Sequence, residues 1–299
     1  MNYFNIYENC TLCPRKCGAD RTKRPGVCGQ TAALKIGRAS LHIWEEPCIS
    51  GLNGSGTVFF SGCSLSCIFC QNSALSRNNA GKEISADRLC EIFLELEEKG
   101  AENINLVTPE HFAPHIAYAL DNAKKNGLDI PVVMNCGGYT DTETLKILEN
   151  YIDVFLPDFK YISPQLAKKL SGAEDYPDAA KKALDEMVRL QPKCVFENGI
   201  IKKGVIVRHL CLPGHVAESK KVLAYLHERY GNAVYISIMS QYTPVMKSDI
   251  YPELNRRLRR SDYDRILDYA LSIGIENAFI QEGSSSSESF IPSFDGEGV

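Results

Sequence analysis

From residue 57 onward, the sequence alternates short runs of β-branched residues with amphipathic helical patterns. In the first such helix Ser85 is a suitable N-cap, four apolar residues from Leu89 to Leu96 form one stripe, and Gly100 follows at a position suited to a left-handed residue. This alternation predicts an α/β fold with a parallel sheet, either a full or partial barrel or a flat doubly wound sheet. In each case ligands bind at the carboxyl ends of the strands. Strands are predicted at 57–60, 104–107, 131–135, 154–159, 205–212, 233–239 and 278–280, and further helices at 115–126, 142–149, 178–190, 217–230 and 262–273.

The composition is that of a globular chain that can bury a sizeable core. Of 299 residues, 44% are hydrophobic and 23% are charged, and no apolar run reaches the 18 residues of a membrane span. The first residues lack the basic and apolar regions of a signal peptide, so we expect a cytoplasmic protein that does not associate with a membrane. The net charge of -4 gives no case for nucleic acid, and the basic run 256–260 lacks interleaved aromatic residues. We interpret that run as a solvated face or a docking patch for an acidic partner.

Three regions are predicted from the distribution of cysteine, proline, glycine and serine. Residues 1–50 are cysteine-rich and predict a small metal-binding segment that ends in a hairpin-like stretch over 33–44. Residues 51–282 carry the strand–helix alternation, and residues 283–299 are rich in serine and glycine, which is typical of a loosely held tail.

Seven of the 12 cysteines form two groups, and the first group comprises Cys63, Cys67 and Cys70. Their spacing also fits one face of a buried helix, but the segment follows a strand directly and contains glycine and serine without a large hydrophobic residue on that face. Three thiolates this close repel each other unless a cation or a cluster neutralises them. Structural zinc sites and ordinary [4Fe–4S] clusters take four protein ligands. Three cysteines therefore predict a cluster with one iron open to another ligand.

The C-x₃-C-x₂-C spacing, with Phe69 before the last cysteine and in the loop after the first strand, resembles the radical S-adenosylmethionine (SAM) superfamily. The resemblance implies that the three cysteines hold a [4Fe–4S] cluster and that the open iron binds the amino and carboxylate groups of SAM, with Phe69 near the adenine. It implies an enzyme that cleaves SAM reductively to a 5′-deoxyadenosyl radical, which abstracts hydrogen from a substrate. No catalytic residue beyond the cluster and SAM is implied.

Nearly the whole chain is similar to pyruvate formate-lyase activating enzymes, and most similar to the PflX branch of that family. The matching segments are 10–29, 41–71, 103–111, 135–139, 156–161, 208–214 and 241–244. The resemblance implies a partial (β/α)₆ barrel, a protein substrate such as a glycyl radical enzyme, and a flavodoxin- or ferredoxin-type electron donor. One alternative is radical modification of another protein, a peptide or a small molecule. A second is a non-catalytic interaction module in which both cysteine groups are structural.

Further cofactor-binding residues are predicted at the ends of the strands. The family usually carries Gly-Gly-Glu after its second strand; here Thr108 and Glu110 stand in that place, and a helix N-terminus is the competing interpretation. The resemblance places Asn135 beside the cofactor. Asp158 and Lys160 resemble an Asp-x-Lys motif that reaches the ribose and the carboxylate of SAM, with an ion pair that binds no ligand as the alternative. Arg208 lies in an apolar run, where a buried arginine needs a carboxylate partner.

The second cysteine group comprises Cys10, Cys13, Cys17 and Cys28. Four thiolates within so short a segment suit a structural zinc ion or a second iron–sulfur cluster, and the spacing fits both. The remaining five cysteines are isolated, and we expect them to be small buried apolar residues: Cys48, Cys90, Cys136, Cys194 and Cys211.

Overall fold

A computed structural model describes residues 3–245, 247–281 and 292–299 of the chain. The strands of this part are β1 (Lys35–His42), β2 (Ser55–Phe60), β3 (Lys82–Glu83), β4 (Ile104–Val107), β5 (Val132–Cys136), β6 (Val154–Pro157), β7 (Val195–Glu197), β8 (Ile200–Leu210), β9 (Tyr235–Met239) and β10 (Ala278–Ile280). The α-helices are α1 (Pro47–Ser50), α2 (Ser73–Ser76), α3 (Ala86–Glu98), α4 (Ala113–Lys125), α5 (Thr142–Leu148), α6 (Pro164–Ser171), α7 (Tyr176–Leu190), α8 (Val216–Tyr230) and α9 (Arg260–Ser272).

The strands form one sheet in the order β10-β9-β8-β6-β5-β4-β2-β1-β3, with β7 paired to β8 off this path. The seven strands from β10 to β2 are parallel, whereas β1 and β3 are antiparallel additions at one edge. Strands β10 and β3 do not pair, so the sheet stays open. The predicted α/β fold with a mostly parallel sheet is confirmed.

The two faces of the sheet are covered differently, which separates a barrel from a doubly wound sheet. Residues such as Leu106, Met134 and Val207 pack on one face against the long helices in the main hydrophobic core. The other face buries Val133, Val154, Leu156 and Ile206 against Cys48 and Ile49 of the short helix α1. A doubly wound sheet would carry long helices on both faces. The arrangement is therefore that of an open barrel whose interior is filled at one end by α1.

Helix α3 forms as its sequence pattern predicts. The Ser85 hydroxyl accepts a hydrogen bond from the Arg88 backbone N–H at 3.0 Å, which satisfies one of the free donors of the first turn. The apolar stripe from Leu89 to Leu96 is buried against the sheet, and Gly100 adopts a left-handed φ of 84°.

Two local predictions differ from the structure. The stretch 33–44 does not form a hairpin: it supplies the single strand β1, whose partner β2 follows only after the chain passes through α1. Helix α6 was not predicted, because its eight residues hold too few apolar positions for a clear periodicity; its ends are nevertheless well formed, with Ser163 capping Leu166 and Gly172 at φ 64°.

The described part of the chain holds no helix long and apolar enough to cross a membrane. Residues 283–291 of the predicted tail lie outside the described residues, and residues 292–299 lie against β1.

The cysteine-rich N-terminal region is joined to the barrel by Arg21, which is fully buried. Its guanidinium donates to the carbonyls of Gln30 (3.1 Å), Thr31 (2.7 Å) and His111 (2.6 Å), and stacks 4.8 Å from the ring of Tyr7. A planar fork of donors suits this set of acceptors, whereas a lysine presents one compact ammonium.

We expect Arg21→Lys to lower the free energy of unfolding by about 3 kcal/mol, because at least two buried carbonyls lose their donors. Urea denaturation monitored by circular dichroism would measure the change. Arg257→Lys, at an exposed position, is the matched control and should leave the unfolding midpoint unchanged. Equal stability of the two variants would contradict this role of Arg21.

Candidate functional site

The loop that carries Cys63, Cys67 and Cys70 follows β2 and is not helical, so the three cysteines are not a buried helical stripe. Gly62 begins the loop with a φ of 87°, and a Cβ atom there would lie 2.7 Å from the carbonyl oxygen of Cys28. Only glycine fits this approach. The Cys70 N–H donates to the Cys67 carbonyl at 3.2 Å, which closes a tight turn between these two cysteines.

Each of the three sulfurs has a hydrogen-bonding neighbour. The Leu65 N–H donates to Cys63 Sγ at 3.4 Å, Cys67 Sγ lies 3.0 Å from the Ser171 hydroxyl, and Cys70 Sγ lies 3.2 Å from the Ser76 hydroxyl. Burial raises the pKa of the Cys63 and Cys67 thiols. Thiolates at these positions therefore require positive charge close by, which fits a cationic metal centre.

Among the residues that the structure describes, no three His, Cys, Asp or Glu side chains converge as tightly as the ligands of one metal ion. Of the N-terminal cysteines, Cys10, Cys13 and Cys28 are buried and Cys17 is exposed.

The two cysteine groups are nevertheless adjacent in space. The Cys63 N–H donates to the Cys28 carbonyl at 3.2 Å, and Arg15 donates to the Ser64 carbonyl at 3.0 Å. The N-terminal region therefore braces the three-cysteine loop directly. Among the isolated cysteines, Cys194 is only half-buried, whereas the other four are buried as predicted: Cys48, Cys90, Cys136 and Cys211.

A cavity of about 240 Å³ opens at the carboxyl ends of the strands, beside the three-cysteine loop. Cys67 and Cys70 line it, and Phe69 lies there with its ring 6.2 Å from that of Tyr242. Four further predicted cofactor-binding residues line the same cavity: Asn135, Asp158, Lys160 and Arg208.

Asp158 joins the two cations of the cavity. Its Oδ1 accepts from Arg208 Nε at 2.9 Å, and its Oδ2 accepts from Lys160 Nζ at 2.5 Å. Burial alone would raise the pKa of Asp158, but Arg208 and Lys160 outweigh it and hold the pKa below its ordinary value. Asp158 is thus a carboxylate that keeps two cationic side chains at the wall of the cavity.

Thr108 and Glu110 do not line the cavity. The Thr108 N–H donates to the Asn135 carbonyl at 2.8 Å, and Glu110 is buried with the Thr140 hydroxyl 3.3 Å from its carboxylate. Burial raises the pKa of Glu110 to about 7. Thr108 is not the N-cap either: that position of the turn Glu110–Phe112 is held by Pro109, and Thr108 has a left-handed φ of 57°.

Glu45 is a site residue that the sequence reasoning missed. Its carboxylate accepts from Arg208 Nη1 at 3.2 Å and from Asn135 Nδ2 at 3.2 Å, while Arg208 Nη2 donates to Asn135 Oδ1 at 2.5 Å. The three side chains form a closed ring that fixes the guanidinium and the amide. The only signal in the sequence is the pair Glu45-Glu46 beside Pro47, and adjacent acids are more often solvated at a surface.

We expect Glu45→Gln to weaken SAM binding about tenfold or more, because the new amide group points a donor at another donor, and a charge-assisted hydrogen bond contributes about 1.5–3 kcal/mol. Isothermal titration of the reconstituted protein with SAM would measure this. Glu98→Gln, at an exposed position on α3, is the control. Unchanged affinity in Glu45→Gln would show that the ring does not matter for the cofactor.

An open parallel barrel with a three-cysteine loop at the carboxyl ends of its strands defines a class of protein. The model of the radical SAM superfamily matches residues 57–226, and the chain belongs to this family. The cofactors of the family are a [4Fe–4S] cluster and SAM.

Comparison with individual proteins adds the following similarities. An uncharacterised protein of Methanocaldococcus jannaschii is 29% identical over 276 residues, which are 89% of this chain and 75% of that protein. The fold is similar to Streptococcus suis SuiB bound to its precursor peptide SuiA (TM-score 0.50, 13% identity) and to the FeFe-hydrogenase maturase HydG of Carboxydothermus hydrogenoformans (TM-score 0.50, 12% identity). The matches cover 74% and 73% of this chain, but only 46% and 50% of those two proteins.

Proposed function

We propose that Cys63, Cys67 and Cys70 hold the cluster of this radical SAM enzyme and that the adjoining cavity binds SAM. One observation carries the proposal: the cavity that contains Cys67 and Cys70 also contains the ionic residues Asp158, Lys160 and Arg208. When bound, the cluster supplies the electron that cleaves SAM to methionine and a 5′-deoxyadenosyl radical, which takes a hydrogen atom from the substrate.

The residues of the chain bind and orient this cofactor. SAM carries a carboxylate, and Lys160 and Arg208 are the cations of the cavity wall. Asp158 and Glu45 hold Arg208 in place before SAM enters, so little reorganisation is needed on binding. Phe69, in the three-cysteine loop, places an aromatic ring at the cavity that is suited to contact the adenine. Glu110 does not line the cavity. The support for its role in cofactor binding is only its buried position near Cys63.

We also propose that the substrate is a protein and that the reaction installs a glycyl radical, as in the pyruvate formate-lyase activating enzymes, whose PflX branch the chain most resembles. The support is the resemblance of the motifs over nearly the full chain and a cavity open at the end of the barrel. SuiB, which shares the fold, is bound to a precursor peptide, so a modified peptide is the second candidate. A flavodoxin- or ferredoxin-type donor supplies the electron in this proposal.

The experiment begins with anaerobic reconstitution with iron and sulfide, followed by reduction in the presence of SAM. We expect 5′-deoxyadenosine and methionine in equal amounts by mass spectrometry. A glycyl radical signal in electron paramagnetic resonance, after mixing with a candidate partner, would support activation. Transfer of hydrogen from another peptide without that signal would favour the second candidate, and release of neither product would contradict radical chemistry.

The N-terminal cysteines are proposed to hold a second metal, zinc or an iron–sulfur cluster, that stabilises their segment. The support is their number within a short region and the burial of three of them, Cys10, Cys13 and Cys28. Metal analysis of wild type and Cys13→Ala distinguishes the options. Loss of one zinc ion indicates a structural ion, loss of about four irons indicates a second cluster, and no change would contradict the site.

A further inference from the structure

Residues 292–299 lie against the edge of β1 as an irregular segment, with a turn at 297–298 and left-handed φ angles at Gly296 (81°) and Gly298 (75°). The Gly296 N–H donates to the Gly37 carbonyl at 3.1 Å, and the Ala39 N–H donates to the Glu297 carbonyl at 2.9 Å. Strand β3 pairs only with Lys35 and Ile36 of β1, so the segment occupies the part of this edge that β3 leaves. Main-chain hydrogen bonds between a peptide and a sheet edge are a common part of peptide recognition.

The side chains of the segment alternate between the protein and solvent. Pro292 and Phe294 are half-buried, whereas Ser293, Asp295 and Glu297 are exposed. The half-buried residues are the ones that can anchor the segment on the protein.

An aromatic pocket and an arginine hold this segment. Phe294 packs in the cluster of Phe59, Leu75 and Val107, with its ring 5.4 Å from that of Phe59 in a T-shaped arrangement. Arg38 donates to the Ser293 carbonyl at 3.0 Å and forms ion pairs with Asp295 and Glu297. We call this surface the rim groove; it is formed by Gly37, Arg38, Ala39, Phe59, Leu75 and Val107.

The rim groove continues into the cofactor cavity. Phe59 and Val107, which hold Phe294, also line that cavity, and Pro292 lines it too. A peptide seated in the groove therefore places the residue two positions before its aromatic anchor at the cavity, where the reacting atoms are proposed to lie.

The contacts of the segment with the groove are exchangeable. The side chains of Asp295 and Glu297 are 58% and 57% exposed, and ion pairs of this kind contribute about 1 kcal/mol or less. The two main-chain hydrogen bonds depend on the backbone of residues 296–298, where Gly296 and Gly298 have left-handed φ angles, so a peptide with glycine at these two positions can form them as well. A competing peptide with the same residue pattern can therefore make the same contacts with the rim groove as residues 292–299 do.

We propose that the rim groove is the docking site of the protein substrate, which enters as a segment with an aromatic residue followed by acidic residues and glycine, and that residues 292–299 occupy the groove until the substrate displaces them. This inference rests on the proposed function and adds to it the substrate class and a self-occupied state. The occupying sequence is Pro-Ser-Phe-Asp-Gly-Glu-Gly-Val.

The first test measures binding on the cofactor-free protein. Phe294→Ser, Asp295→Asn and Glu297→Gln are combined in one released variant, which leaves the groove itself intact. We expect a fluorescent peptide of sequence 292–299 to bind the released variant at least tenfold more tightly than wild type, by anisotropy. The same peptide with the three substitutions is the control and should not bind.

Variants of the groove test the mode of binding. Adding Arg38→Gln to the released variant should weaken binding of the peptide at least tenfold. Arg189 lies far from the groove and is paired with Glu186, so adding Arg189→Gln should leave binding of the peptide unchanged. Circular dichroism checks folding. The second measurement leaves the segment unchanged and uses wild type: an excess of the peptide should speed chymotrypsin cleavage after Phe294. Absence of both binding and faster cleavage would overturn the inference.

A last arm separates this inference from the proposed function. The peptide, carrying dideuterated glycine through Pro292→Gly, is incubated with reconstituted released variant, SAM and reductant. We expect one Cα–D bond of that glycine to break and one C–D bond to form in 5′-deoxyadenosine, with a glycyl radical left on the peptide. Formation of 5′-deoxyadenosine without deuterium would overturn the docking proposal and leave the proposed function intact. Absence of 5′-deoxyadenosine would contradict the proposed function. In that case the binding measurements described above decide whether the rim groove binds the peptide.

Discussion

Replacement of Cys67 by alanine is expected to abolish formation of 5′-deoxyadenosine, by at least a thousandfold, and to leave the protein folded. A cluster held by two cysteines loses the geometry that leaves a single iron open to SAM. The side chain lies on an irregular loop, half-buried, with Ser171 as its hydrogen-bonding neighbour, so its loss removes little from the core. Iron content, the visible absorption of the cluster and product formation would be measured together with thermal unfolding of the metal-free protein.

Cys90→Ala is the matched control for this experiment. Cys90 is buried on α3, away from the cavity, and its replacement should cost about 1 kcal/mol of stability or less while iron content and product formation stay unchanged. Unfolding of the Cys67 variant would favour a purely structural role of the loop. Full activity in the Cys67 variant would remove this residue from the ligand set.

The strand-end residues of the site could be predicted because their signals are local. A run of apolar residues that predicts a strand precedes each of Asn135, Asp158 and Arg208. The carboxyl ends of parallel strands meet at one edge of the sheet. Each of them breaks the apolar pattern at a place where a polar side chain needs a partner. The structure brings all three into one cavity, together with Lys160, Cys67 and Cys70.

The part that could not be predicted depends on contacts between distant segments. Glu45 reaches Arg208 only because α1 enters the barrel and carries the preceding residues inside with it. Nothing in the periodicity of a four-residue helix indicates that it lies within a sheet. The contact of residues 292–299 with β1 is equally hidden, since a segment rich in serine, glycine and acidic residues gives no strand pattern.

The departure from Gly-Gly-Glu at Thr108 and Glu110 shows a limit of reasoning by motif. Glu110 has the residue type that the family uses, but it faces Thr140 in the interior and not the cavity. Besides Asp158, the acidic residue that lines the cavity is Glu45, which contacts Arg208 and Asn135 and lies outside the residues matched by the family model. The wall of this cavity is therefore completed by a segment that precedes the family core.

Asp158→Asn is expected to lower SAM affinity at least a hundredfold and to destabilise the protein. The substitution removes the carboxylate that Lys160 and Arg208 share and leaves these two cations close together. The side chains of all three residues are less than 20% exposed. Removal of one partner from a buried ion pair costs about 3–5 kcal/mol, and we expect about 3 kcal/mol here because the cavity admits water. Guanidinium denaturation and titration with SAM would measure the two effects.

Glu174→Gln is the appropriate control, since it removes the partner of Lys168 in an ion pair whose side chains are 57% and 66% exposed. Exposed pairs contribute about 0.2–1 kcal/mol, so this variant should bind SAM as wild type does. The comparison also decides between the two interpretations of the Asp-Lys pair. If Asp158→Asn destabilises the protein but leaves SAM affinity unchanged, the pair is a structural ion pair. If both fall together, the same carboxylate that keeps the cations in place also prepares the cavity for the carboxylate of the cofactor.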